Sequence, residues 1–218
     1  DKPAGVAVHG GSGVSFGVIE QLRRARQNVA GGARFLELVH RLDKETSGIL
    51  LLARKRSALT RLQDQFRERD THKVYAALVF GEWPQAVKVI DLPLLKTLDA
   101  AGERHVKVAA HEHARRSISL VRVVRSGNGL SLLDVTIKTG RTHQIRVHLA
   151  HHGHPIVGDP KYGDFARNKA FARERGFARM ALHARHLAFD HPADPGASHR
   201  VTLDSPVPAE WLPLLEPA

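Results

Sequence analysis

The sequence predicts an α+β fold: a mixed, largely antiparallel β-sheet with flanking helices and loops. Three observations carry this. Short apolar runs of strand character at 73–81, 118–124, 130–138 and 180–189 outnumber the helical patterns. The segment "RSGNG" between two of those runs is a hairpin signal. No strand–helix–strand repeat recurs, which argues against a doubly wound parallel sheet.

Taken in order, the chain enters through "DKPAGVAVHGG", and "HGGSGVSFG" (9–17) reads as a turn-rich loop. Ser15 is the expected N-cap of a helix with Val18, Ile19 and Leu22 on one face and Arg23, Arg24 and Arg26 outside. "RFLELV" (34–39) reads as a strand leading to His40, and "GILLLA" (48–53) as a short buried strand. Ser57 is expected to cap a helix carrying Leu59, Leu62 and Phe66 at i, i+3 and i+7. "KVYAALVFG" is a strand closing at Gly81. Prolines, a glycine and mixed charge in 84–115 suggest excursions or a hairpin on one edge. In 130–138, Leu133, Val135 and Ile137 alternate with Asp134, Thr136 and Lys138. Thr142 as N-cap and Gly153 beyond the end bracket a helix within 140–153. A strand with Ile145, Val147 and Leu149 on one face fits the same residues. Late strands follow at 180–189 and 200–204, with no internal repeat and no low-complexity linker.

At 218 residues the chain can bury a real core, and one domain over 1–218 is expected. Lys and Arg number 33 against 22 Asp and Glu, a net charge of +11 that suggests a polyanionic partner. A merely basic surface is the alternative. The chain has no Cys, which excludes disulfides, thiolate metal sites and Cys nucleophiles. No apolar run approaches the roughly 18 residues of a membrane span, and the first residues lack a signal peptide's apolar core. A cytoplasmic protein without membrane association is the default. The opening Asp1-Lys2-Pro3 reads as the interior of a longer chain.

Nucleotide-cofactor motifs are missing: there is no GxxxxGK[ST], and no GxGxxG follows a strand. Fifteen His residues invite a metal site, above all at His148, His151 and His152. There is no HExxH, and basic surroundings oppose a dication, so solvated or RNA-facing histidines are the preferred reading and no metal is expected. Glycosidase chemistry needs two carboxylates; Glu45 lies near Asp43, but no second acid stands in another motif. A serine nucleophile lacks its strand before "HGGSG". What remains is a lone carboxylate among basic motifs, Asp43 in "HRLDKETSG". Such an Asp is usually a turn residue. As a reagent it would need a cation to keep it ionised once desolvated, and "GRTHQIR" offers Arg141 and Arg146.

These residues carry a resemblance. "HRLDKETSG" is similar to the catalytic-loop motif of the RluA-type pseudouridine synthases, and "KVYAALVFG" to that family's tyrosine-bearing strand. "TGRTHQIRVHLAHHGHPIVGDPKYG" (139–163) resembles its long third motif, and "DKPAGVAVH" its KPxG segment. The four occur in family order over most of the chain, with 84–129 and 164–179 matched weakly. "VHGGSGVSFGVIE" and "FLELVHRLD" look most like the branch of large-subunit ribosomal synthases called C.

The resemblance implies the pseudouridine synthase catalytic fold and isomerisation of uridine to pseudouridine in large-subunit ribosomal RNA by a monomer without a cofactor. It implies Asp43 as nucleophile or base, Tyr75 as the ring stacked on the target base, with a part in proton removal from C5, and Arg146 as the partner of Asp43. Arg41 would enter the RNA stack vacated by a flipped uridine, and Leu182 or Ile145 would line the uracil pocket. His40, Thr46 and Arg141 complete the implied substrate-binding set. The family's N-terminal S4-like RNA-binding domain is expected to lie outside this chain. The chemistry agrees: an isomerisation needs no redox partner, metal or water, so one carboxylate suffices. The base must leave the stack, and the planar guanidinium of Arg41 suits the gap. Other classes stay open at this point: a non-catalytic RNA-binding module of ribosome assembly, a synthase of the same family acting on tRNA, and an RNA N-glycosidase releasing uracil.

Overall fold

The computed structural model describes residues 1–11, 16–27, 35–98, 102–193 and 199–217. Helix α1 (Val18–Gln27) leads to strands β1 (Glu37–Leu38), β2 (Ser47–Gly48) and β3 (Leu52–Ala53), then helix α2 (Arg56–Glu68). Strands β4 (His72–Phe80), β5 (Val89–Asp91), β6 (Leu94–Leu98), β7 (Arg104–Val108), β8 (Ile118–Gly127) and β9 (Leu130–Ile137) follow. Helices α3 (Gln144–His151) and α4 (Phe165–Arg175) precede strands β10 (Leu182–Asp190) and β11 (Arg200–Asp204), and a 3-10 turn (Ala209–Leu215) ends the chain. Helices combined with antiparallel ladders make the α+β architecture that the sequence predicts. The residues group into two compact units, Asp1–Lys73 with Ala184–Ser205 and Val74–His183 with Pro206–Ala218.

In the first unit, α2 turns Leu62 fully inward, with Leu59 and Phe66 partly buried, against Val39, Ala53, Leu187 and Phe189. That is the face its i, i+3, i+7 spacing marks. The side chain of Gln65 brackets Asp190, accepting its N–H (2.7 Å) and donating to its carbonyl (2.9 Å). Strand β10 pairs with β11 from His186↔Asp204 to Asp190↔Arg200, and β1 pairs with β3 through Glu37↔Ala53 and Leu38↔Leu52.

Several expectations change here. "GILLLA" is not one buried strand: β2 pairs with β10, β3 pairs with β1, and Ile49 to Leu52 between them are only half-buried. The break falls at Gly48, whose φ of +105° and contact with the Ala184 carbonyl leave no room for a side chain. Helix α2 starts one residue before Ser57, with extended Lys55 at its N-cap and no side-chain cap, because the chain runs straight out of β3. Ser15 lies outside the described residues. The amides of Gly10 and Gly17 are both taken by the Glu20 carboxylate (3.0 and 2.8 Å). In α1, Ile19 is buried as expected, whereas Leu22 is exposed.

The second unit is built on the antiparallel order β4–β9–β8–β5. Residues Ala76 to Phe80 and Leu130 to Val135 are buried without alternation, so this part of the sheet is covered on both faces. The polar half of the expected alternation therefore fails at Asp134, which is buried and paired with Arg122 of the neighbouring strand. Strand β8 runs on to Gly127, and the hairpin closes through Asn128 and Gly129, both at positive φ (51° and 69°), as a two-residue type I′ turn requires. A hairpin does lie within 84–115, but β6–β7 forms a two-stranded sheet of its own and is not an edge of the larger sheet, whose end strand here is β5.

The segment 140–153 is a helix, and its N-cap is His143 in a left-handed conformation, not Thr142. The reason lies in the preceding turn. Thr139 Oγ1 accepts from Ile118 N and donates to Gln144 Oε1, drawing the helix start toward β8. Gln144 through Leu149 are all buried, so their polar members need partners. Gln144 Nε2 donates to Ile118 O and to Ser119 Oγ (both 3.0 Å). His148 Nε2 faces the Leu92 carbonyl (3.2 Å), which only accepts, so Nε2 carries the proton and Nδ1 accepts from Ser119 Oγ (3.0 Å). Burial pushes the His148 imidazole down to about 4, the hydrogen bond to Leu92 opposing it and the neighbouring His152 and His151 adding to it. Among the described residues, no group of three metal-ligating side chains converges.

Acid therefore acts on this helix in a defined direction. The unfolded imidazole titrates near its ordinary value of 6.5 and the folded one near 4, so between these values the unfolded chain binds the extra proton. Stability is expected to fall as pH drops through that window, by about 2 kcal/mol from His148 alone at pH 5. Urea unfolding at pH 7 and pH 5 checks this, and His148→Gln should shrink the difference between the two.

Candidate functional site

Asp43 sits on the loop between β1 and β2. It opens a turn closed by the Thr46 amide on its own carbonyl (3.1 Å) and is half-buried, while Thr46 is buried. The turn expected of such an Asp is present, so the residue is a turn-former as well as the candidate reagent. Arg41 points to solvent and Leu42 is buried, which splits the loop into an outer and an inner side.

The loop is held from below by the first residues of the chain. Lys2 and Gly48 exchange backbone hydrogen bonds (2.8 and 2.9 Å), and Gly5 N donates to Lys44 O (2.9 Å). The Lys2 side chain is 4% exposed, and its ammonium donates to the carbonyls of Pro3, Val6 and Lys44 at 2.8, 2.7 and 3.0 Å. Burial pulls its pKa down to about 8, with the charges of Glu45 and Asp43 opposing the shift. A cation next to the Asp43 turn is thus supplied from within the same unit.

His40 turns inward. Its Nε2 accepts the Leu51 N–H (3.0 Å), and its ring stacks on Phe66 with centroids 5.0 Å apart. The Lys73 ammonium lies over the same Phe66 ring at 4.9 Å. Burial lowers the His40 pKa to about 4, the charge of Lys73 adding to this and a hydrogen bond with the Arg41 backbone opposing it. Burial also lowers the pKa of Lys73.

In the second unit Tyr75 lies opposite Val135 on β4 and packs, half-buried, on the cluster that contains both Ile145 and Leu182. The two candidates for an apolar pocket wall and the aromatic ring therefore belong to one hydrophobic cluster. Arg141 is exposed, and its amide donates to Gln144 Oε1 (3.2 Å).

Arg146 is 5% exposed on α3. Its Nε and Nη2 meet the two oxygens of Asp159, both at 2.8 Å, and its guanidinium lies 5.0 Å from the centre of the Tyr162 ring. Asp159 is itself 1% exposed and also accepts the amides of Lys161 (2.8 Å) and Tyr162 (3.0 Å). Burial would raise its pKa, but the hydrogen bonds and charge of Arg146, with those two amides, hold it below the ordinary carboxylate value. Tyr162 takes the Val106 amide on its hydroxyl (3.1 Å) and bonds His143 Nδ1 (2.7 Å), tying α3 to the β6–β7 hairpin.

Asp43, Arg41, His40 and Thr46 thus share one loop of the first unit, whereas Tyr75, Arg141, Ile145, Arg146 and Leu182 belong to the second. Sequence reasoning singles out neither Lys2 nor Asp159. Both stand inside the family-like segments "DKPAGVAVH" and "GDPKYG", but a buried charge is recognised only from its surroundings.

The comparisons with known proteins follow the same lines. Residues 1–151 match the family described as RNA pseudouridylate synthase. The ribosomal large subunit pseudouridine synthase C of Vibrio vulnificus is 48% identical over 193 residues, covering 88% of this chain and 58% of that protein. Its namesake in Haemophilus ducreyi is 49% identical over 192 residues, with the same coverage of 88% and 58%. This chain thus spans about three fifths of the length of these relatives. Among solved structures, human RNA pseudouridylate synthase domain containing 4 superposes with a TM-score of 0.77 at 28% identity, covering 98% of this chain and 86% of that one. Human RNA pseudouridylate synthase domain containing 1 gives 0.75 at 27% identity, covering 99% and 81%.

The Arg146–Asp159 pair has a measurable consequence. Asp159→Ala takes the bidentate carboxylate away from a buried guanidinium and is expected to cost about 3–5 kcal/mol in urea unfolding. The double variant Arg146→Met/Asp159→Leu, which removes both charges, should lose much less than the single one.

Proposed function

The chain belongs to the RNA pseudouridylate synthase family, and on that premise we propose that it isomerises uridines to pseudouridine in large-subunit ribosomal RNA. The observation that carries this reading is the framed acid: Asp43 on a tight turn, with buried Lys2 fixing the adjacent carbonyl. Close relatives named as large-subunit synthases and the net charge of +11 support the substrate class. Residues 1–218 act as the catalytic domain.

In this reaction the bond from C1′ to N1 breaks, the uracil turns, and C1′ joins C5. The C5 proton leaves and N1 gains one, so substrate and product have the same atoms. Asp43 is the carboxylate that engages the nucleotide. Tyr75 stacks on the extracted base, with Ile145 or Leu182 as the apolar wall of the uracil pocket. Arg146 serves as the cation for Asp43, its guanidinium oriented by Asp159. Arg41, exposed beside the acid, fills the stack left by the flipped nucleotide, and Arg141 meets phosphate. Thr46 serves substrate binding through the loop, and the inward-turned His40 holds that loop. No step calls for a metal, a cofactor or a second acid.

Asp43→Asn in the natural full-length protein should lower tritium release from C5-labelled uridine in ribosomal RNA by about a thousandfold or more, with RNA binding kept. Equal release by both proteins would remove Asp43 from the chemistry, and free uracil as product would make the enzyme a glycosidase. Arg41→Ala should cut turnover while largely preserving affinity, because extraction of the base rather than docking is impaired. An equal loss of affinity would make Arg41 a phosphate contact. Raising salt from about 50 to about 200 mM should weaken RNA binding by about tenfold or more.

A further inference from the structure

In the first unit, the ladder between β1 and β3 pairs Glu37 with Ala53 and Leu38 with Leu52. The next pair in register is Val39 with Leu51, and the Val39 amide does donate to the Leu51 carbonyl (3.1 Å). In an antiparallel ladder a residue pair that makes one such bond makes two, so the Leu51 amide should return to the carbonyl of Val39. It is taken instead by Nε2 of His40, at 3.0 Å. A side chain has replaced the backbone acceptor at the point where the chain leaves the sheet and becomes the Asp43 loop.

We propose that His40 is a positioning residue for Asp43, its imidazole closing the neck of the loop by substituting for the missing ladder carbonyl. This rests on the reading of Asp43 as the reacting carboxylate. The substitution lets the backbone turn away one residue after Val39 without stranding the Leu51 amide, which is otherwise costly inside the protein. The ring is held for this task by its stack on Phe66. Lys73 also lies over the Phe66 ring, and its ammonium disfavours a second positive charge on His40. The imidazole is therefore neutral at neutral pH, with Nε2 as acceptor and the proton on Nδ1. Arg41 and Asp43 follow one and three residues later, so the geometry of both is set from this neck. A residue that instead touched RNA would present its ring nitrogens outward, as the exposed Arg41 presents its guanidinium.

The test uses the full-length protein. His40→Phe keeps a ring on Phe66 but removes the acceptor; His40→Gln restores an acceptor at similar reach. With His40→Phe, kcat should fall by about tenfold or more while KM for RNA stays within about twofold, and the Leu51 amide should exchange faster by about tenfold or more. His40→Gln should recover most of both. A rise in KM with kcat intact would overturn the proposal and make His40 an RNA contact. So would a His40→Gln protein as slow as His40→Phe with its Leu51 amide protected. If His40→Phe does not fold, the comparison passes to His40→Gln against His40→Asn, whose shorter side chain cannot reach Leu51; equal kcat in that pair refutes the role. The Leu51 exchange is read without substrate, so loss of the functional reading through Asp43→Asn would be seen separately.

Discussion

Leaving a buried polar group unpaired is costly, and both segments that carry the candidate chemistry are built on that constraint. Each leaves regular secondary structure inside the protein, where water cannot satisfy the backbone. At the Asp43 loop the partners are side chains: Lys2 takes the Lys44 carbonyl, and His40 takes the Leu51 amide at the neck. On α3 the partners are Gln144 and His148, which reach the edge of β8 and the residue after β5. Apolar clustering packs the elements, but these bonds decide where the loop and the helix start.

Charge follows the same logic. A chain with an excess of 11 positive charges repels itself, and most of its Lys and Arg are accordingly solvated. The exceptions are informative. Arg146 is buried with Asp159 meeting it bidentately, and Asp159 stays ionised because Arg146 and two amides outweigh its desolvation. Lys2 survives burial with a depressed pKa because three carbonyls and two nearby carboxylates compensate it. An arginine is suited to such a task, since its guanidinium stays charged where a lysine would lose its proton.

Much of the fold was legible in the residues. The spacing of Leu59, Leu62 and Phe66 marks the buried face of α2, the run to Gly81 marks β4, and the turn residues mark the β8–β9 hairpin, whose tip is Asn128–Gly129. The family-like motifs point to Asp43, Tyr75 and Arg146, and the family to which those motifs point is the one whose model matches the chain. Helix starts were less legible. Ser57 and Thr142 are reasonable caps by residue type, yet a side chain caps only if the backbone reaches the helix from the right direction. At α2 the chain arrives extended from β3, and at α3 the bond from Thr139 to Gln144 sets the approach. "GILLLA" failed for a related reason: periodicity cannot show that a short apolar run changes strand partners midway.

The sequence by itself determined what depends on residue type and local spacing: the fold class, most strands and helices, the exclusion of thiol chemistry and the motif residues. The tertiary structure alone decided which charges are buried and what each one faces. Lys2, His40 and Asp159 have no local pattern that sets them apart from solvated neighbours, because burial and pairing arise from residues distant in the chain. Thus the Asp of "HRLD" is visible in a linear reading, while the lysine that holds its loop and the imidazole that closes its neck become visible only when the chain is folded.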